Sequence, residues 1–233
     1  MATSTVPARQ TGSRLPSILL KTIVAATGLF FVFYLLLHMY GNLMILVGRE
    51  AFDGYAHHLR VIGEGMVPEK GVLWVFRLLL LASLVLHVWA TMTLWGRAGK
   101  ARTTRYAARR PTTYGTVYAK AMRWGGLAIL LFVIFHILHL TTQTIAPAGE
   151  IASPADRVIS NFSIWWVVLI YVLAMIAVGM HLLHGLWGAA MTLGLNTSLQ
   201  RAERIRFVSI LVATLVVVGF LIPPFAILLG LVD

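Results

Sequence analysis

Four long apolar runs of the 233-residue chain each carry a histidine deep inside: His38, His87, His136 and His181. Ionisable groups are costly in hydrocarbon and usually mark a function. Two of the runs repeat one another. Gly28-Leu29 and Gly126-Leu127 each precede a histidine ten residues after the glycine, His38 in one case and His136 in the other. Neutral imidazole is a common metal ligand, and four copies in four runs raise the question of which lie at one level.

Helices rise about 1.5 Å per residue, so distance to a charged flank gives depth. His38 follows Lys21 by seventeen residues and precedes Arg49 by eleven. His136 follows Arg123 by thirteen and precedes Glu150 by fourteen. With the runs alternating in direction, these two share the outer half. His87, ten residues before Arg97, and His181, about twenty past Asn161, share the inner half. Two axial imidazoles at each of two depths is what two bis-histidine haems stacked across a membrane require. A four-helix bundle builds such sites from facing side chains. His139 and His184 stand three residues beyond His136 and His181, so each shares a helix face with its neighbour and is an alternative ligand or a further cofactor contact. The Gly-to-His echo favours His136; spacing leaves His181 and His184 open. Gly28, Gly125, Gly126, Gly179, Gly185 and Gly188 offer room for a flat group, Gly28 and Gly126 being the cofactor contacts expected.

The elements that position these residues follow from composition. The chain is 59% hydrophobic with a mean hydropathy of +0.84, too apolar for a soluble core with a polar surface, so it reads as an all-α integral membrane protein. Hydrocarbon about 30 Å thick needs roughly 20 apolar residues per crossing. Five runs meet this, at about 19–47, 71–96, 120–146, 161–193 and 205–231, the first four forming the haem-binding bundle. Residues 1–18 read as a cytoplasmic tail and 19–233 as one membrane domain. Pro223-Pro224 should kink the fifth run or end it early. The stretch Ala51 to Leu59 reads as a short helix on the membrane surface.

The net charge of +11 is distributed as a membrane protein distributes it, which argues against nucleic acid. Arg9, Arg14 and Lys21, then Arg97, Lys100, Arg102, Arg105, Arg109, Arg110, Lys120 and Arg123, then Arg201, Arg204 and Arg206 fall on one side. Excess Lys and Arg mark the cytoplasmic side, so the N-terminus is expected there and the C-terminus outside. The basic loop around Arg109-Arg110-Pro111 suits anionic lipid or an acidic partner face. The chain has no cysteine, which excludes iron–sulfur clusters of its own. A transporter with a histidine relay also uses buried histidines, but these runs contain no acid.

Further residues resemble a known family, the single-chain, five-helix, di-haem cytochrome b anchor of succinate:quinone oxidoreductase and the related fumarate reductases. The resemblance rests on Thr27-Gly28-Leu29 before His38, Gly41-Asn42 after it, Ala51-Phe52, Tyr55-Ala56-His57, Leu86-His87, Met122 to Gly126, and Phe135-His136. Its most specific piece is His181-Leu-Leu-His184-Gly-Leu-Trp187 followed by Thr192-Leu193-Gly194. It implies two haems b, ligated by His38 with His136 and by His87 with His181, the second pair nearer the partner subunits. It also implies a flavoprotein and an iron–sulfur partner that carry the FAD and the clusters, a quinone, menaquinone being expected, and a bacterial inner-membrane location. A higher oligomer of the complex is compatible with this. The chain would then be the quinone-reactive subunit, without action on succinate by itself. Some fumarate reductases carry a buried acid two residues before the fourth ligand; here that position is Gly179, so a proton route of that kind is not expected.

Quinone and haem carboxylates need polar partners near the membrane surfaces. Ser17 and Trp124 on the inner side, and Asn42, His139 and Gln143 on the outer, are the quinone candidates. Lys21, Arg77 and Arg123 are candidates for the haem propionates. No catalytic residue is assigned. A di-haem cytochrome b serving a hydrogenase or formate dehydrogenase remains an alternative.

Overall fold

The computed structural model describes residues 15–100 and 113–232, with the side chains of 113–121 excluded. Arg9 and Arg14 of the expected tail, Arg102 to Pro111 of the basic loop and the Lys120 side chain therefore lie outside the described residues. What is described is helical, with no strand beyond an isolated bridge between Glu64 and Val67. The elements are α1 (Ser17–Leu43), α2 (Arg49–Val61), α3 (Gly71–Lys100), α4 (Thr113–His136), α5 (Pro154–Phe162), α6 (Trp165–Thr192) and α7 (Leu199–Leu228). Five stretches are long and apolar enough to cross a membrane: Ser17–Leu46, Gly71–Lys100, Met122–Thr141, Trp165–Thr192 and Leu199–Leu228.

Helices end where the sequence supplies a stop. Past α1 a 3₁₀ turn, Met44–Leu46, leads to Gly48 at φ 137°, a conformation open to glycine. The end of α6 has Gly194 at φ 73°, with Leu195 N–H bonded to the Ala190 carbonyl, so the last carbonyls are satisfied by a left-handed cap. Ser198 accepts from Arg201 N–H and caps α7.

Three features differ from the sequence reading. The fourth run was expected to begin at Asn161, but residues Pro154–Phe162 form a separate short helix. Ser153 caps it by accepting from Asp156 N–H, Pro154 opens it, and extended backbone at Ile164 breaks it from α6. The prolines of α7 do not end it: Pro223 and Pro224 lie buried inside a helix that continues to Leu228. Membrane helices tolerate proline where neighbouring helices cover the freed carbonyls. At its other end α7 begins at Leu199, six residues before the expected start, because Arg201, Arg204 and Arg206 are good helix formers that hydropathy alone sets aside.

Side-chain contacts show the helices alternating in direction. Arg97 at the end of α3 reaches Ser17 at the start of α1, and Arg123, at the start of the apolar stretch Met122–Thr141, stacks on Trp95. This is the basic end; α2 and α5 close the far end. Helices α1 and α6 are central. Helix α1 packs on α3, α6 and α7, and α6 packs on α1, α4 and α7. Among the described residues, neither α1 with α4 nor α3 with α6 makes an extensive close backbone approach. Helix α6 is the most enclosed of the five and α3 the least.

Small residues permit the closest packing. A Cβ added at Gly179 would stand 2.8 Å from Val217, and one at Gly219 would stand 2.2 Å from the Met39 sulfur. In a membrane, where lipid is as apolar as leucine, such approach supplies much of helix association. At the far end Ile45, Val158, Ile159, Phe162, Val168 and Tyr171 form one apolar cluster. There Asp53 of α2 holds the start of α5, accepting from Ser153 Oγ at 2.8 Å and Ala155 N–H at 2.9 Å, and Arg49 pairs with Asp156.

Candidate functional site

The histidines meet in two couples, each across a pair of helices that makes no extensive close backbone approach. His38 of α1 and His136 of α4 have ring centres 5.8 Å apart, with planes at 80°. His87 of α3 and His181 of α6 have centres 6.3 Å apart, at 54°. Two imidazoles bonded at about 2.0–2.1 Å to opposite sides of one metal place their ring centres about 6 Å apart.

The ten-residue echo is the spacing between these two levels. Gly28 of α1 faces His87, and a Cβ there would lie 3.5 Å from its Cε1. Gly126 of α4 faces His181, with a Cβ 3.4 Å from its Cε1. Thus each helix bearing a far-end histidine carries, ten residues earlier and about 15 Å lower, the glycine that leaves room for a basic-end histidine.

Aromatic rings enclose the imidazoles. Tyr34 stacks on His38 at 5.4 Å, Phe220 lies 5.6 Å from it, Phe132 lies 5.7 Å from His136 and Phe31 5.8 Å from His87. Polar contacts are few and specific. His136 Nδ1 is 3.1 Å from the Tyr171 hydroxyl, and His87 Nδ1 is 2.9 Å from Thr27 Oγ1. The buried Nδ1 of His181 has no hydrogen-bond partner, a state that asks for an explanation in a folded chain.

His139 was named for the cofactor or the quinone, and the geometry gives it other work. It is 1% exposed, with Nδ1 3.0 Å from the Tyr171 hydroxyl and Nε2 2.8 Å from Asn161 Oδ1. Both ring nitrogens are occupied, so none is left for iron. A π turn, Ile137–Thr141, follows His136 directly and contains His139, with Thr142 N–H reaching back to the Ile137 carbonyl. Single π turns in α-helices recur at functional sites. His184 is half-buried one turn beyond His181, and it is His181 whose ring faces His87.

The remaining candidates divide by end. At the basic end Ser17 Oγ accepts from Arg97 at 3.0 Å, the Arg123 guanidinium lies 5.0 Å from the Trp95 ring centre, Lys21 is exposed and Trp124 faces outward at 67% exposure. Arg77, toward the far end of α3, is exposed beside Trp74 at 5.1 Å. Asn42 donates back to the His38 carbonyl at 2.8 Å. Gln143, at φ 55°, uses its side-chain oxygen to accept from Ile151 N–H, so that oxygen closes a loop and is not offered to a ligand. Arg157 ties the same loop by donating to the carbonyls of Leu140, Ile151 and Ala152; burial, with Arg60 adding repulsion, lowers its pKa from the usual guanidinium value.

Sequence reasoning missed Tyr171 and Asn161. One signal was there: Tyr171 stands ten residues before His181 on a helix of opposite direction, hence at the level of His136. A buried tyrosine hydroxyl needs a partner.

Among the described residues, fold and site together define a helical membrane-type protein with five helices long and apolar enough to cross a membrane and two imidazole pairs at separate levels between them. Comparison with protein-family models, curated proteins and solved structures gives no match.

Proposed function

We propose that the chain is the membrane-anchor cytochrome b of a succinate:quinone oxidoreductase. In this reading it holds two haems b, one between His87 and His181 and one between His38 and His136, and lies between an iron–sulfur partner and a quinone in a cell membrane. The observation that carries it is the pair of imidazole couples, 5.8 and 6.3 Å between ring centres, on helices that do not otherwise close on one another. The residues present fit the group: imidazole suits iron, the His181 nitrogen is buried without a partner, and Gly28 and Gly126 leave the ring edges uncovered.

When bound, haem iron supplies the one-electron chemistry that no side chain here has. The chain's own residues bind, orient and insulate. The four imidazoles would hold the two irons, and Thr27 and Tyr171 orient two of them. Phe31, Phe132, Phe220 and Tyr34 keep water from the imidazoles. Lys21, Arg77 and Arg123 are the basic side chains that would pair with propionate carboxylates, where a charge-assisted bond is strong. Ser17, held by Arg97, offers a hydroxyl near the basic end for a quinone oxygen. The excess of Lys and Arg at that end puts the N-terminus in the cytoplasm, facing partner subunits or anionic lipid, and the C-terminus outside.

The test is to purify the full chain in detergent, measure its haem content and low-spin spectrum, and identify the chains that accompany it. Two haems b per chain with a flavoprotein and an iron–sulfur protein are expected. Hydrogenase or formate dehydrogenase chains would reassign the partner; a folded, colourless protein would overturn the reading.

A further inference from the structure

The hydrogen bonds around His136 leave only one arrangement of protons. Asn161 Nδ2 donates to the Arg157 carbonyl at 2.9 Å, and a carbonyl can only accept. Asn161 Oδ1 is therefore the atom that accepts from His139 Nε2–H at 2.8 Å. A neutral imidazole has a single N–H, so His139 Nδ1 is an acceptor and takes the Tyr171 O–H at 3.0 Å. The hydroxyl's one proton is then used, and its oxygen can only accept from His136 Nδ1–H at 3.1 Å. Helices α4 and α6 contain no Asp or Glu to stabilise an imidazolium, and the one acid of α5, Asp156, is paired with Arg49, so the neutral form is the one that burial supports.

Thr27 repeats the logic in two steps. Its hydroxyl donates to the Ile23 carbonyl at 2.7 Å, so at 2.9 Å from His87 Nδ1 it can only accept. In both cases a backbone carbonyl, which has no proton to give, sets the direction of every bond after it.

We infer that Tyr171 and Thr27 are positioning residues that fix His136 and His87 as Nδ1–H tautomers, leaving the Nε2 lone pair of each for a metal. The inference rests on the haem reading for its consequence and on hydrogen-bond chemistry alone for the tautomers. Each pair thus has one imidazole locked from outside, His136 at the far end and His87 at the basic end, while His181 Nδ1 has no partner. Such outer contacts raise ligand basicity and typically contribute about 10- to 100-fold in metal affinity. The far-end chain is a clamp and not a proton conduit, because it terminates on the Arg157 carbonyl through an amide that cannot hand a proton on.

The test uses the full chain in lipid vesicles with ¹⁵N-labelled histidine, first without haem. The His136 signals, assigned by their loss in His136→Gln, should show Nδ1 protonated and Nε2 bare, and in Tyr171→Phe they should move to a mixture of tautomers. Phenylalanine keeps the ring contacts to Phe162 at 4.8 Å and Phe132 at 5.1 Å. With haem added, Tyr171→Phe should weaken one site about 10- to 100-fold and raise its midpoint potential while sparing the other. Thr27→Val, nearly isosteric, should do the same to the opposite site and carries the test should Tyr171→Phe fail to fold. A wild-type His136 or His87 protonated on Nε2, or variants with unchanged tautomers and unchanged potentials at two bound haems, would overturn the inference and leave the proposed function standing. Tautomers as stated in a chain that binds no haem would sustain the assignment and sink the haem reading.

Discussion

Substitutions at Gly28 and Gly126 should damage the histidine pair that their own helices do not carry. A Cβ at Gly126 meets His181 Cε1 at 3.4 Å and one at Gly28 meets His87 Cε1 at 3.5 Å, so alanine is nearly accommodated. Valine is not. A methyl carbon extends about 1.5 Å beyond Cβ, and one directed at the ring would stand about 2 Å from Cε1, well inside the 3.5–4.0 Å optimum for carbon contacts. Valine has little freedom to turn away, because its χ1 is restricted to one main well in a helix. Overpacking of this kind costs about 1–3 kcal/mol, and at 1.4 kcal/mol per decade that is roughly a 5- to 140-fold loss of affinity. Haem titration of the full chain in lipid nanodiscs, followed by absorbance and redox titration, separates the two sites. Gly126→Val and Gly28→Val should each weaken the His87/His181 site and leave the His38/His136 site near wild type, with the alanine variants losing less than about tenfold. Loss of the His38/His136 site instead, or two undisturbed sites in both valine variants, would refute the level assignment and with it the geometry of the echo.

Other perturbations address neighbouring parts of the structure. His87→Ala or His181→Ala should abolish one haem's redox transition and spare the other, and His38→Ala or His136→Ala should do the reverse; an intact pair of transitions in His181→Ala would move the ligand to His184. Gly219→Ala forces the Met39 sulfur aside from 2.2 Å and should lower thermal stability by about 1–3 kcal/mol, with Met39→Ala added to it restoring part of the loss. Asp53→Ala removes the acceptor for Ser153 Oγ and Ala155 N–H, and should speed hydrogen exchange at the start of α5 as expected of losing a cap worth about 1 kcal/mol. Tyr55 sits where burial, then the neighbouring Tyr40, raises its pKa above the ordinary phenol value; the stability its neutral form contributes is intact below about pH 10 and lost as pH rises through the folded value, so Tyr55→Phe should flatten the alkaline limb of the unfolding profile.

Much was legible without coordinates. Apolar runs count crossings because hydrocarbon must be spanned by helix, and the ten-residue step from Gly28 to His38 and from Gly126 to His136 is a real distance because an α-helix has a constant rise. These arguments are local and one-dimensional, and so is the separation of charge between the two sides. The chain alone did not reveal that α3 meets α1 but not α6 across its backbone, or that α5 is a helix separate from α6. Nor did it show that a π turn after His136 brings His139 onto Tyr171 and Asn161. The echo alone favours His136 over His139, but what His139 does instead depends on the partners of its ring nitrogens, and those come from α5 and α6, more than twenty residues away in sequence. Spacing along one helix says which residues share a face; only packing in three dimensions says what that face touches, and a ring whose two nitrogens are both hydrogen-bonded has no lone pair left for a metal.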